Sequence, residues 1–437
     1  MFTPARYVVV DDNPGELKKL SDCLQGIGAP CLPLQYDAVH GIDSAKLNGV
    51  RLLFLDLHLT TGGKTSDISQ ASSVIIGLLE QGIEPRCGPY VIILWTSHEN
   101  HREEFEKYLE KGLDPLKAPL AVLILDKNKY LAKDGGKALS DDIVGLVAAN
   151  PQLDALLAWE REVLSAAGAT LTEISGLVTG EDRAVGRFSG KLDEVFSRIA
   201  YESAGKENAK QDPYSAVNAA LMPFLSDRIA NQRIRPQSDE LWKSAVTKID
   251  TVVPPSLVEA AHLNSMLHVA ASPNEELKTG SWGAVTLLPE QELEDDAMLG
   301  RFNMLAKPMP SQIFCIANKP DRTAGRFCAL RVGAECDFAQ SRIGPIPFVL
   351  GFIVSATAAR REGSLPKSEI VTPPFILGGF ADPVMIIFNT HMQFSMVPSQ
   401  FADWEPVCRL REQLLIQITS YGAQNSTRPS IVSFRPH

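Results

Sequence analysis

Four runs of large apolar residues in the first third of the chain each end abruptly in polar residues. Tyr7 to Val10 runs into Asp11-Asp12. Arg51 to Leu59 carries a single carboxylate, Asp56. Tyr90 to Trp95 runs into Thr96-Ser97, and Leu120 to Leu125 runs into Asp126-Lys127. Continuous apolar runs of this length read as strands buried on both faces of a parallel sheet. Between them the apolar period lengthens to that of a helix. Leu17, Leu20 and Leu24 follow a start at Asn13-Pro14, which predicts a helix over Pro14 to Leu24. Val74, Ile75, Leu78 and Leu79 lie in a second predicted helix, Asp67 to Gln81, and the charged segment Glu99 to Gly112 makes a third. This alternation predicts an α/β, doubly wound parallel sheet over residues 1–138.

From Leu139 to residue 252 no strand run appears and apolar residues recur at helical spacing, which predicts a helical middle region with breaks at Pro151, Gly168, Gly180, Gly190, Gly205 and Pro213. The polar segment Ser203 to Asp212 reads as a loop. Pro254-Pro255 opens a third region, 253–437, with a predicted helix over Ser256 to Ala270. Strand-like runs follow at Gly283–Leu288, Ile313–Ile316, Phe327–Val332, Phe348–Ser355, Phe375–Leu377 and Val384–Asn389. A helix over Glu405 to Tyr421 and a last strand over Pro429 to Phe434 complete it. Short strands with Pro- and Gly-rich links predict a β-rich, antiparallel barrel or sandwich with flanking helices.

Composition narrows the function classes. A length of 437 residues suits two to three domains. The formal net charge of −10, with no Lys/Arg-rich run, disfavours a general nucleic-acid-binding surface. No apolar stretch reaches the length of a membrane helix, and the entry into a strand within a few residues of Met1 predicts no signal peptide. Seven scattered cysteines suit reduced thiols, so the expected location is cytoplasmic.

In open α/β sheets, ligands sit at the carboxyl ends of the strands. Asp56 is there either as a capping or turn residue or as the centre of a site. The other strand ends favour the site, because together they deliver an acidic pair, a lone aspartate, a hydroxyl and a lysine. Clustered carboxylates repel unless a cation lies between them, and hard oxygen ligands suit Mg²⁺. A hydroxyl and an ammonium suit an anionic group such as a phosphoryl carried by Asp56, and carboxylates do accept phosphoryl groups covalently.

This set, in this order, resembles the receiver domain of two-component response regulators, over roughly residues 1 to 135. The resemblance implies a flavodoxin-like fold with Asp56 as phospho-acceptor and a histidine kinase or small molecule as donor. It makes Asp11 and Asp12 the metal-binding pair, with Asp12 binding Mg²⁺ most directly, and gives the metal the backbone carbonyl of His58. Thr96 would bond a phosphoryl oxygen and Lys127 would pair with the phosphate. The chain departs from the family at Asn128, where a proline is usual, and at Ile124, where an aromatic switch residue is usual. The turn Leu59 to Asp67 and the stretch between Thr96 and Lys127 are both longer than usual.

A receiver joined to a helical and β-rich region also resembles regulator components of bacterial anti-phage phosphorelays of the Detocs type. That resemblance implies a protein that regulates or buffers signalling, with other receiver or effector proteins as partners. Two alternatives follow from the residues. Cys336-Asp337, directly after a predicted strand, could serve a phosphorylation-gated hydrolase, with His391 or His268 as base, or a metal site with Cys315, Cys328 and His391. No C-x-x-C spacing supports the metal, and a buried structural cysteine is the simpler reading. The other alternative is a pseudo-receiver that only docks partners. His40, His98 and His101 read as solvated, and Gly135-Gly136-Lys137 lacks the rest of a phosphate-binding loop.

Overall fold

A computed structural model describes residues 4–59, 68–85, 88–97, 101–130, 136–231, 238–270, 277–333, 344–361 and 368–426. The chain divides into two compact units, Met1–Gly168 with Ile229–Asp250, and Ala169–Arg228 with Thr251–His437. No helix among the described residues is long and apolar enough to cross a membrane.

The first unit is built on five parallel strands: β1 (Tyr7–Asp11), β2 (Cys31–Gln35), β3 (Leu52–Leu55), β4 (Val91–Thr96) and β5 (Ala121–Asp126). Their order is β2-β1-β3-β4-β5, the flavodoxin-like arrangement. β3 throughout, β1 as far as Val10 and β4 as far as Trp95 are apolar because both faces are covered. Val8, Val10, Leu53, Leu55, Ile92 and Leu94 share one core cluster, and Val9, Phe54, Val91, Ile93 and Trp95 share the other. The strand β2 was not visible in the sequence. It carries Pro33, which cannot donate to a ladder, and such a strand is tolerated because it lies at the edge of the sheet.

Helices α1 (Pro14–Gly26), α2 (Ile68–Gly82) and α3 (Arg102–Gly112) connect the strands. Asn13 caps α1, its Oδ1 accepting the N–H groups of Gly15 (2.9 Å) and Glu16 (3.4 Å). Leu17, Leu20 and Leu24 are buried as the stripe predicts. After β5 come a single turn, α4 (Lys127–Tyr130), then α5 (Gly136–Ala148) and α6 (Pro151–Gly176). Leu139, Ile143 and Leu153 pack beside Val9 and Phe54. Glu160 of α6 pairs with Arg6 at 2.6 Å and with Arg51 at 3.1 Å, so α6 is tied to the amino-terminal end of the sheet.

Among the described residues no strand occurs between β5 and Val269, as the spacing predicts. Pro151 and Pro213 begin helices and Gly205 ends one, whereas Gly168 and Gly190 lie inside helices. Ser203–Asp212, read as a loop, instead contains the helix Lys206–Gln211.

The second unit holds seven antiparallel strands: β6 (Val269–Ala270), β7 (Ala284–Leu287), β8 (Arg326–Arg331), β9 (Ile346–Ser355), β10 (Glu369–Val371), β11 (Val384–Met396) and β12 (Pro406–Leu410). Among the described residues they form one sheet in the order β10-β11-β9-β8-β7-β12-β6, its two end strands not paired with each other. It is therefore neither a closed barrel nor a two-sheet sandwich. Alternate residues serve two cores: Cys328, Leu330, Val349 and Ile353 on one face, Phe327, Ala329, Leu350 and Phe352 on the other. Four further expectations are corrected. Ile313–Ile316 is a turn after the short helix Met309–Gln312, with only Ile316 bridged, to Arg360. Phe375–Leu377 contributes a single bridge, from Phe375 to Val384. The predicted final helix begins only at Glu412 and runs to Ser426, its first residues being strand β12. The helix predicted over Ser256–Ala270 is Leu257–His268, capped by Ser256, and β6 takes its last two residues. Pro429–Phe434 lies outside the described residues.

Candidate functional site

The candidate side chains stand where strands stop. β1, β3, β4 and β5 run in phase, with Val10 opposite Leu55, Leu55 opposite Leu94 and Leu94 opposite Ile124. Their carboxyl ends therefore form one edge. Asp11 closes β1, Asp56 follows β3, Thr96 closes β4, and Lys127 follows β5. Thr96 is buried and pairs in register with Asp126.

Oxygens of Asp11, Asp12 and Asp56 lie within 4.8 Å of one another. Asp11 is fully buried and Asp56 is 7% exposed. Lys127 Nζ lies 3.1 Å from Asp11 Oδ2, 2.9 Å from Asp56 Oδ2 and 2.6 Å from Glu16 Oε2. An ammonium has three protons to donate, and here each has a carboxylate to meet. Two backbone N–H groups add support, Asn13 to Asp11 Oδ1 at 2.8 Å and His58 to Asp56 Oδ1 at 3.2 Å. His58 thus reaches the site through its backbone, while its ring meets that of His101 edge to face, 6.0 Å between centroids.

The electrostatics are those of a site short of positive charge. Burial, reinforced by the charge of Asp56, pushes the Asp11 carboxyl up to about 6, although Lys127 opposes the rise. Burial and Asp56 also raise Asp12. Burial alone would lower Lys127, but the carboxylates of Asp56 and Asp11 overcome it and hold the ammonium above its usual range. Four carboxylates face one ammonium. Three of them converge closely enough to share one small cation, and carboxylate oxygens are the donors that Mg²⁺ takes. The residues fit a divalent cation.

The departures from the receiver pattern have structural content. At the position where proline is usual, Asn128 donates its backbone N–H to Asp126 Oδ1 at 2.9 Å, a bond that proline cannot make. Ile124 packs against the core cluster that contains Val122. Tyr130 stacks on Trp95 and its hydroxyl donates to Asp142 of α5. Of the long turn Leu59 to Asp67, all but Leu59 lies outside the described residues.

Glu16 was not singled out in the sequence. The available signal was its place in the first turn of a capped helix, four residues beyond Asp12, with α1 starting at the same sheet edge.

The thiol-centred alternatives gain nothing. Cys336 and Asp337 lie outside the described residues, as does His98. Cys328 and Cys408 are buried, and burial raises both thiols, Cys408 to about 12. Burial also raises Cys315, and His391 lies exposed on β11. Among the described residues, the acidic trio is the one group of three or more His, Cys, Asp or Glu side chains that could share a metal ion. No protein-family model matches the chain, and no curated protein is similar enough to count as a relative.

Proposed function

We propose that the first unit is a receiver that accepts a phosphoryl group on Asp56 and passes the resulting change in charge to the rest of the chain. The observation that carries this reading is the placement of Lys127 Nζ at 2.9 Å from Asp56, beside a trio of carboxylates suited to a divalent cation. Asp11, Asp12, Asp56 and the backbone carbonyl of His58 are the groups that would hold Mg²⁺, which when bound supplies positive charge to the oxygens of the transferring group.

The protein's own part is positioning and electrostatic stabilisation. An Asp56 carboxylate oxygen attacks phosphorus, the O–P bond forms, and the N–P bond to the donor's phosphohistidine breaks. The leaving imidazole takes a proton from water. Lys127 neutralises a phosphoryl oxygen and Thr96 donates its hydroxyl to another. The added charge then competes for Lys127 and biases the loops at this edge. In this reading a histidine kinase is the donor, and the protein regulates or buffers a phosphorelay.

The chemistry of the linkage tests the proposal. A phosphoryl group on a carboxylate is an acyl phosphate and is released by hydroxylamine, whereas one on a serine or threonine hydroxyl is not. Label transferred from a phosphorylated histidine kinase should be lost on hydroxylamine treatment. Label that survives it would contradict the assignment to Asp56.

A further inference from the structure

A second cluster of charge lies in the other compact unit and is opposite in sign. Residues on the helices Met309–Gln312 and Lys319–Ala324, and on the segments beside them, line a cavity of about 560 Å³, a size common to small-molecule sites. Lys307, Lys319, Arg322 and Arg361 line it, with the hydroxyls of Ser311 and Thr323. No carboxylate lines it among the described residues. Nearby Arg301 and Arg360 are engaged by Glu292 and Glu369, but among the described residues no carboxylate pairs with any of the four. In a chain of net charge −10, four such cations around one hollow run against the composition.

Part of the cluster is fixed in advance. Arg322 Nη1 donates to the carbonyls of Ile316 (3.2 Å) and Ala317 (3.1 Å). The Arg361 N–H donates to the Cys315 carbonyl at 2.9 Å, and the Ala317 N–H to Ala359 at the same distance. Cys315, at the centre of this turn, has φ 54°, a left-handed conformation uncommon outside glycine. The turn is thus pinned from both sides, and pre-organised donors lose less freedom when a ligand arrives. Lys307 and Lys319 are exposed and add mobile point charges. Pro310 and Phe327 contribute apolar surface.

We propose that this cavity binds a small polyphosphate-bearing molecule, of the class of nucleoside di- and triphosphates. Guanidinium groups match paired phosphate oxygens, ammonium groups serve as point charges, and hydroxyls complete the coordination. A hollow of this size suits a soluble metabolite better than a nucleic-acid backbone, which needs an extended basic track.

The test is calorimetric titration of the full chain with ATP and with inorganic triphosphate, at constant ionic strength and in EDTA so that no cation occupies the acidic trio. Saturable one-to-one binding is expected with both. The exposed double variant Lys307→Glu/Lys319→Glu should weaken it by about tenfold or more, the scale of losing two charge-assisted contacts. Arg361→Gln should weaken it in the same direction, which keeps the test decisive should the double variant misfold. Asp56→Asn should bind as wild type does, which separates this site from the receiver edge. Absence of saturable binding, unchanged affinity in folded cavity variants, or an equal response to sulfate would overturn the proposal. So would a single-stranded oligonucleotide that binds more tightly than either probe.

Discussion

Lys127 Nζ lies closer to Glu16 Oε2, at 2.6 Å, than to Asp56 Oδ2 at 2.9 Å or Asp11 Oδ2 at 3.1 Å. The lysine that the proposed receiver assigns to a phosphoryl group is therefore shared with a carboxylate from the first turn of α1. Glu16→Gln removes the charge of that competitor and keeps its shape. Asp56 modification by acetyl phosphate with Mg²⁺ should become about three- to fivefold faster, the scale of one partly exposed ion pair. A slower rate would mean that Glu16 positions Lys127 instead of restraining it.

Lys127→Ala should cost roughly 3 kcal/mol of stability without divalent cation, because it strips the buried carboxylates of their counter-charge. Mg²⁺ should restore part of that loss and bind at least as tightly as in wild type. Urea unfolding with and without Mg²⁺ checks this. A variant as stable as wild type in EDTA would show that the ion pairs contribute little.

Asp11 gives a dependence on pH whose sign is fixed. Its carboxyl ordinarily ionises near 3.8 but in the fold is pushed up to about 6, so the folded protein holds the proton more tightly than the unfolded chain does. The associated stability is complete below 3.8 and is lost as pH rises through 6. In EDTA, the stability of wild type relative to Asp11→Asn should rise from pH 7 to pH 5. Affinity for Mg²⁺ should fall over the same interval, since the proton and the cation compete for one carboxylate. A difference between wild type and Asp11→Asn that stays flat with pH would contradict this.

In the second unit, Gly351 of β9 lies opposite Phe388 and Cys328. A Cβ there would meet Phe388 Cδ1 at 2.7 Å and Cys328 Sγ at 2.8 Å. Gly351→Ala should lower stability by about 1–3 kcal/mol through overpacking, read from the urea midpoint. An unchanged midpoint would mean that the ring of Phe388 yields freely.

Much of the first unit could be read from the sequence because one signal repeats there. Each buried strand is an apolar run, and each run ends in a residue with chemistry, so Asp11, Asp56, Thr96 and Lys127 marked both the strand and the edge. The strand β2 was hidden because an edge strand tolerates Pro33 and exposes alternate residues. Glu16 was hidden for another reason: an acidic residue in a first turn suits the helix dipole whatever else it does. In the second unit, β12 is hard to separate in the sequence from the helix after it, because Leu414, Leu415 and Ile418 continue an apolar pattern that begins at Cys408 and Leu410. The switch in period at Arg411 is too short to see without the neighbouring strand. The four cations of the cavity are separated by up to 54 positions, from Lys307 to Arg361, and the turn at Cys315, bonded to Arg322 and Arg361, is a contact that no sequence period announces.

The most direct measurement is intact mass after incubation with acetyl phosphate and Mg²⁺, for wild type and Asp56→Asn side by side. One phosphoryl adduct on wild type and none on the variant is the result that a working receiver requires. An adduct of equal yield on both proteins would contradict Asp56 as the acceptor.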